Sequence, residues 1–88
     1  MGVDVVFELQ YLLSDALGED IVVKDYSYSS DGVLCITVEK GDKPKRVCIE
    51  VKQCKGIQSV TKRDKCIIRY LSSHDEALAR LRDELLRG

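Results

Sequence analysis

The chain has 88 residues, 44% apolar and 33% charged, with a single proline. That leaves room for one folded domain with one core and excludes a disordered tail or a multidomain enzyme. The formal net charge of −1 is sorted along the chain: residues 40–69 carry ten cations against three anions, a balance of +7, whereas residues 1–39 carry one cation against eight anions, a balance of −7.

The first apolar stretch is broken by Asp4, Glu8, Gln10, Ser14 and Asp15. It is therefore neither a signal h-region nor a membrane span. Val6 stands where a Met-Gly start would need Ser or Thr for myristoylation. No membrane contact is expected, and the setting expected is cytoplasmic.

In chain order, Val5, Val6, Leu9, Leu12, Leu13, Ala16 and Leu17 recur every three or four residues, which predicts a helix with Asp4 as N-cap and Gly18 as stop. From residue 21 the period falls to two. Alternation predicts strands at 21–28, 33–39, 46–53, 57–62 and 65–71, joined by turns too short for crossovers and so antiparallel. Ser73 with Glu76 then reads as a capping box opening a second helix, with Leu78, Leu81 and Leu85 as its buried stripe and Glu76–Arg80 and Asp83–Arg87 as ion pairs. The expectation is a single α+β domain over residues 1–88: an antiparallel four- or five-stranded meander with N- and C-terminal helices on one face, a two-layer sandwich.

A register for the central hairpin follows from counting apolar pairs. A four-residue loop over residues 41–44 pairs Val38 with Val47, Ile36 with Ile49 and Leu34 with Val51; sliding by two residues keeps only two such pairs. On the other face this register sets Cys35 beside Glu50. The uncovered face becomes a half-apolar mosaic running from Cys35 and Thr37 to Ile68 and Tyr70.

Cys35, Cys48, Cys54 and Cys66 have no close ligand pair among them, and the one histidine, His74, is distant, so a zinc site is not expected. Cys35, Cys48 and Cys66 read as reduced packing residues within strands, disulfides being the alternative for a hyperthermophile source. His74 reads as a surface residue in a helix's first turn. The glycines are scattered singly, so no phosphate loop is formed.

The basic block carries the leading functional expectation. Lys40, Lys43, Lys45 and Arg46 crowd one turn, and Lys62, Arg63 and Lys65 crowd the last. In a meander both turns emerge at one end, forming a cationic edge suited to nucleic-acid backbone or an acidic partner. Without aromatic residues before Tyr70 in this block, sequence preference should be weak. The expectation is a small non-catalytic binding module, homo-oligomeric or engaged with a protein partner through the half-apolar face, without cofactor or metal.

One string points elsewhere. Ile49-Glu50-Val51-Lys52, preceded by Asp31, resembles the PD-(D/E)XK nuclease superfamily, in which a carboxylate on one strand and the Glu-x-Lys of the next hold a divalent metal behind a leading helix. The resemblance implies that Asp31 and Glu50 ligate Mg²⁺ and that Lys52 orients the attacking water. In the register above, Asp31 lies four residues past the partner of Glu50, about 13 Å away at about 3.3 Å per residue, and a hairpin stands where the superfamily has a helix. A helix followed by five short strands also resembles Sm-like small barrels, although their Gly and Asp-x-x-x-Asn positions are not present.

Overall fold

The computed structural model describes residues 5–18 and 21–87. The expected Asp4 cap lies outside them, as do Glu19 and Asp20. The elements are helix α1 (Val5–Leu17), strands β1 (Val22–Tyr28), β2 (Val33–Lys40) and β3 (Lys43–Glu50), one 3₁₀ turn (Lys52–Cys54), and helices α2 (Val60–Ser73) and α3 (Asp75–Leu86). This is an α+β fold with a three-stranded antiparallel sheet in the order β1-β2-β3.

The leading helix is as its spacing predicts. Val5, Leu9 and Leu13 are buried along one stripe, and the Gly18 N–H closes on the Ser14 carbonyl at 2.8 Å. In β2, Leu34, Ile36 and Val38 are buried while Val33, Cys35, Thr37 and Glu39 are half-buried on the other side. The buried side meets Ile67 and Leu71 of α2 and Ala77, Leu81 and Leu85 of α3 in one core cluster with α1. Three helices, not two, thus cover one sheet face and leave the other open.

Residues 57–71 correct the reading as strands: most of this stretch is α2. Ser59 caps the helix, its Oγ accepting from the Lys62 N–H at 3.4 Å, and Asp64, Ile67 and Leu71 fall on its buried stripe. The stripe includes a carboxylate, so an apolar count sees only the accidental alternation of Cys66, Ile68 and Tyr70. Ser73 belongs to the end of α2, where its hydroxyl donates to the Arg69 carbonyl at 2.8 Å. His74 joins α2 to α3 with no side-chain cap, its ring stacked on Tyr70 at 4.2 Å. The ion pairs on α3 are Arg82–Asp83 and Arg87–Glu84, in place of those expected.

The central hairpin is also corrected. Its loop is the two-residue Gly41-Asp42 turn, with Lys40 opposite Lys43, Ile36 opposite Val47, Leu34 opposite Ile49 and Val33 opposite Glu50. Gly41 takes φ +67° while no non-glycine residue among those described has positive φ, the pattern of a turn that needs glycine first. Two gains offset the lost apolar pair. Cys35 faces Cys48 and is disulfide-bonded to it, with Cα atoms 4.0 Å apart, the spacing of a closely set cross-strand pair. Lys45, opposite Val38, extends along the helix-covered face until its Nζ donates to the Glu84 and Arg87 carbonyls, capping the C-terminus of α3. Pro44 is tolerated because parity with Cys48 turns its nitrogen away from β2 on an edge strand.

The remaining cysteines are also bonded, Cys54 to Cys66, which fastens the 3₁₀ turn to α2; no cysteine is free. The expectation of reduced packing thiols is therefore overturned. Each bridge closes a loop of 13 or 12 residues, worth about 3 kcal/mol through the entropy of the unfolded chain. No helix among the described residues is long and apolar enough to cross a membrane.

Candidate functional site

The two basic clusters do not share an edge. Lys40 and Lys43 flank the turn at the start of β3. Lys62, Arg63 and Lys65 lie in the first turns of α2, which the chain reaches only after β3 has run the length of the sheet. Arg63 sits with its guanidinium carbon 5.5 Å from the centroid of Tyr28, the last residue of β1, at the far end from Gly41. Lys45 is committed to α3, and Arg46 stands on the open face with Nη2 3.5 Å from Ser27 Oγ.

The far end collects a different set. The β1–β2 turn holds Ser29, Ser30, Asp31 and Gly32, and it is closed by hydrogen bonds from the Ser29 N–H to the Val33 carbonyl (2.9 Å) and from the Gly32 N–H to the Ser29 carbonyl (3.0 Å). Beside it runs Glu50-Val51-Lys52. The Val51 N–H donates to the Gly32 carbonyl at 2.7 Å, and the Val51 carbonyl accepts from the Tyr28 hydroxyl at 2.6 Å. The Val51 side chain is fully buried. One residue is thus fixed at its donor, its acceptor and its side chain, while its neighbours Glu50 and Lys52 stay exposed and pair with each other at 3.7 Å.

Gly32 makes this approach feasible. Its φ is +84°, and a Cβ placed there would lie 3.3 Å from Lys52 Cα. Any side chain would push the turn away from the Glu50–Lys52 segment.

The structure therefore brings Asp31, Glu50 and Lys52 to one end of the sheet. With Val33 opposite Glu50, the offset of Asp31 falls to two residues, about 7 Å along a strand. A helix, α2, follows Glu-x-Lys after the 3₁₀ turn. Both carboxylates are exposed hard-oxygen donors. Among the described residues no group of three or more His, Cys, Asp or Glu is placed to hold a metal. Two carboxylates suit a cation such as Mg²⁺ that keeps water ligands and shares substrate phosphate oxygens.

Sequence reasoning missed the surroundings. Tyr28, Ser29, Ser30, Lys55 and Arg63 line a cleft of about 490 Å³ between the β1–β2 turn and the start of α2. Burial raises the Tyr28 hydroxyl above the usual tyrosine range, against the opposing pull of Arg63. Burial, reinforced by the nearby Asp64 carboxylate, raises Tyr26. Both therefore remain neutral hydroxyls at neutral pH. The signal available in the sequence was Ser59 as a helix cap, which would have turned Lys62 and Arg63 from a hairpin tip into a helix start beside this turn. In comparison with known proteins, no family model, no curated protein and no solved structure matches this chain.

Proposed function

We propose that this domain binds nucleic acid at the end of the sheet bearing Asp31, Glu50 and Lys52 and hydrolyses the phosphodiester backbone there with a divalent cation. The observation that supports this reading best is the β2–β3 register, which sets the Asp31 turn against the Glu50–Lys52 segment through the Gly32–Val51 hydrogen bond. A helix precedes the strands and helix α2 follows Glu-x-Lys, as the resemblance to the PD-(D/E)XK superfamily implies.

In this reading Asp31 and Glu50 would hold the cation, which would supply positive charge where the phosphate gathers negative charge. Lys52 gives up its pairing with Glu50 and orients the attacking water by donating to its oxygen. The water oxygen bonds to phosphorus and releases a proton to solvent, the bond to one sugar oxygen breaks, and that oxygen takes up a proton from solvent. Lys55, Lys62 and Lys65, all exposed near this end, hold the strand by its phosphates with little regard to base.

The test is incubation with single- and double-stranded DNA and RNA in Mg²⁺ or Mn²⁺. Cleavage is expected, reduced about a hundredfold or more by Glu50→Ala. Cleavage unaffected by that substitution sinks the assignment.

A second reading, a non-catalytic binding module that self-associates through the open sheet face, draws on the same local excess of cations and on the absence of a third carboxylate among the described residues. It predicts salt-sensitive binding without cleavage and a dimer in sedimentation.

A further inference from the structure

We propose that the cleft between the β1–β2 turn and the start of α2 is a phosphate-binding subsite for the nucleic-acid strand, with Arg63 and Lys55 as its cationic ligands and Ser29 and Ser30 as hydroxyl donors. The inference rests on the reading above that nucleic acid is the ligand at this end of the sheet, and it names the group that anchors it.

The lining sets the sign of the ligand. Lys55 and Arg63 contribute two positive charges, and Tyr28, Ser29 and Ser30 contribute hydroxyls, while no carboxylate lines the cleft. Arg63 is the most telling member. It is half-buried, its guanidinium lies over the Tyr28 ring, and its Nε, like Oδ1 of the neighbouring Asp64, is shielded from solvent without any hydrogen-bond partner. A buried charged donor left unpaired is costly, and such donors normally have a protein, water or ligand partner. A planar guanidinium held on an aromatic shelf is oriented in advance to donate to two oxygens of one phosphate. Ser29 Oγ already accepts from the Val33 N–H at 3.2 Å, which leaves its own hydrogen to donate. The Cys54–Cys66 bond fixes the segment that carries Lys55 against α2, so the two cations come from elements held together covalently.

The cleft also adjoins the hydrolytic residues. Asp31 directly follows Ser30, and Tyr28, which forms the floor under Arg63, hydrogen-bonds the carbonyl of the residue between Glu50 and Lys52. A phosphate seated here places a neighbouring phosphate of the same strand toward Glu50. The seated group is either an internal phosphodiester or a terminal monophosphate; its chemistry is shared, and the test separates the two.

The experiment is amide NMR of the full oxidised chain without divalent metal, titrated with inorganic phosphate and with a short single-stranded DNA carrying either a 5′-phosphate or a 5′-hydroxyl. Saturable shifts are expected at Ser29, Ser30, Gly56 and the Arg63 side chain. Arg63→Gln and Lys55→Gln should each weaken binding about tenfold, with the melting temperature retained, and Arg63→Lys should recover only part of the loss. Stronger binding of the 5′-phosphorylated strand assigns the cleft to a terminal phosphate; equal binding of both strands assigns it to an internal one. Shifts centred on the Lys40–Lys43 turn, or affinities unchanged in both Gln variants, overturn the proposal. The unsubstituted chain separates the two ideas: phosphate shifts with no cleavage in Mg²⁺ or Mn²⁺ leave the cleft standing and sink the hydrolytic reading, whereas cleavage that Glu50→Ala removes, without phosphate shifts, does the reverse.

Discussion

The two ends of the sheet carry similar numbers of cations and are built in opposite ways. At the Gly41-Asp42 end, Lys40 and Lys43 flank a two-residue turn, and Lys45 is spent on the last carbonyls of α3. At the other end, a turn, a 3₁₀ segment and a helix start converge on Val51, whose backbone is held by Gly32 and Tyr28. Positive charge counted along the chain does not distinguish these ends. What distinguishes them is whether converging backbone fixes charged groups of both signs in one place.

The strongest way to break this contrast is to cut the covalent tie on one side only. Cys54→Ser with Cys66→Ser should cost about 3 kcal/mol in loop entropy, and more because Cys54 is fully buried and the serine hydroxyl needs a partner. Cys35→Ser with Cys48→Ser should cost about 3 kcal/mol without that surcharge, because Cys48 is exposed. Urea unfolding of the two double variants measures the difference; equal losses would mean that the far end owes nothing special to its bridge.

A finer comparison exchanges one glycine at each end. Both Gly32 and Gly41 have positive φ, so alanine at either costs about 1 kcal/mol in backbone strain. Gly41 has open space around it, whereas a Cβ at Gly32 meets the Lys52 backbone. Gly32→Ala should therefore cost roughly another 1 kcal/mol and lower cleavage, while Gly41→Ala should leave cleavage intact. If the two alanines behave alike in unfolding and in activity, the close approach of Gly32 to Lys52 is without consequence.

The smallest expected effect is alkaline. Tyr26 and Tyr28 are held protonated beyond the ordinary tyrosine value of 10.0, Tyr26 by burial and then by Asp64, Tyr28 by burial alone. Above that pH the unfolded chain sheds these protons while the folded one keeps them, so stability falls as pH rises through the folded values. Their contribution is complete below pH 10.0. Thermal melts across this range should show a downward slope that Tyr26→Phe makes shallower; a slope unchanged by that substitution would remove Tyr26 from the account.

The leading helix and the faces of β2 were legible because each obeys one period over its whole length. The hairpin register was not, because counting valines and isoleucines penalised a lysine on the covered face. That lysine is satisfied by carbonyls from α3, an element more than thirty residues away, and the facing cysteines were counted as small hydrophobes instead of as a pair. The Gly-Asp dipeptide was a usable turn signal that the apolar tally outweighed. Helix α2 was hidden by Asp64 on its buried stripe, where an apolar residue would have shown the helical period. Asp31, Glu50 and Lys52 were visible as residue types. Their proximity was not, since it depends on a register set elsewhere.

The two cystines close successive loops, residues 35–48 and 54–66, and neither encloses the other. Residues 49–53, which include Glu50 and Lys52, fall in the gap. A protease nick inside that gap would leave two separately cross-linked fragments held together by noncovalent contacts alone, the Lys45 hydrogen bonds to α3 among them. The gap in the molecule's covalent skeleton therefore coincides with the Glu50–Lys52 segment, and the alignment of its carboxylate and ammonium groups rests on the hydrogen bonds around Val51.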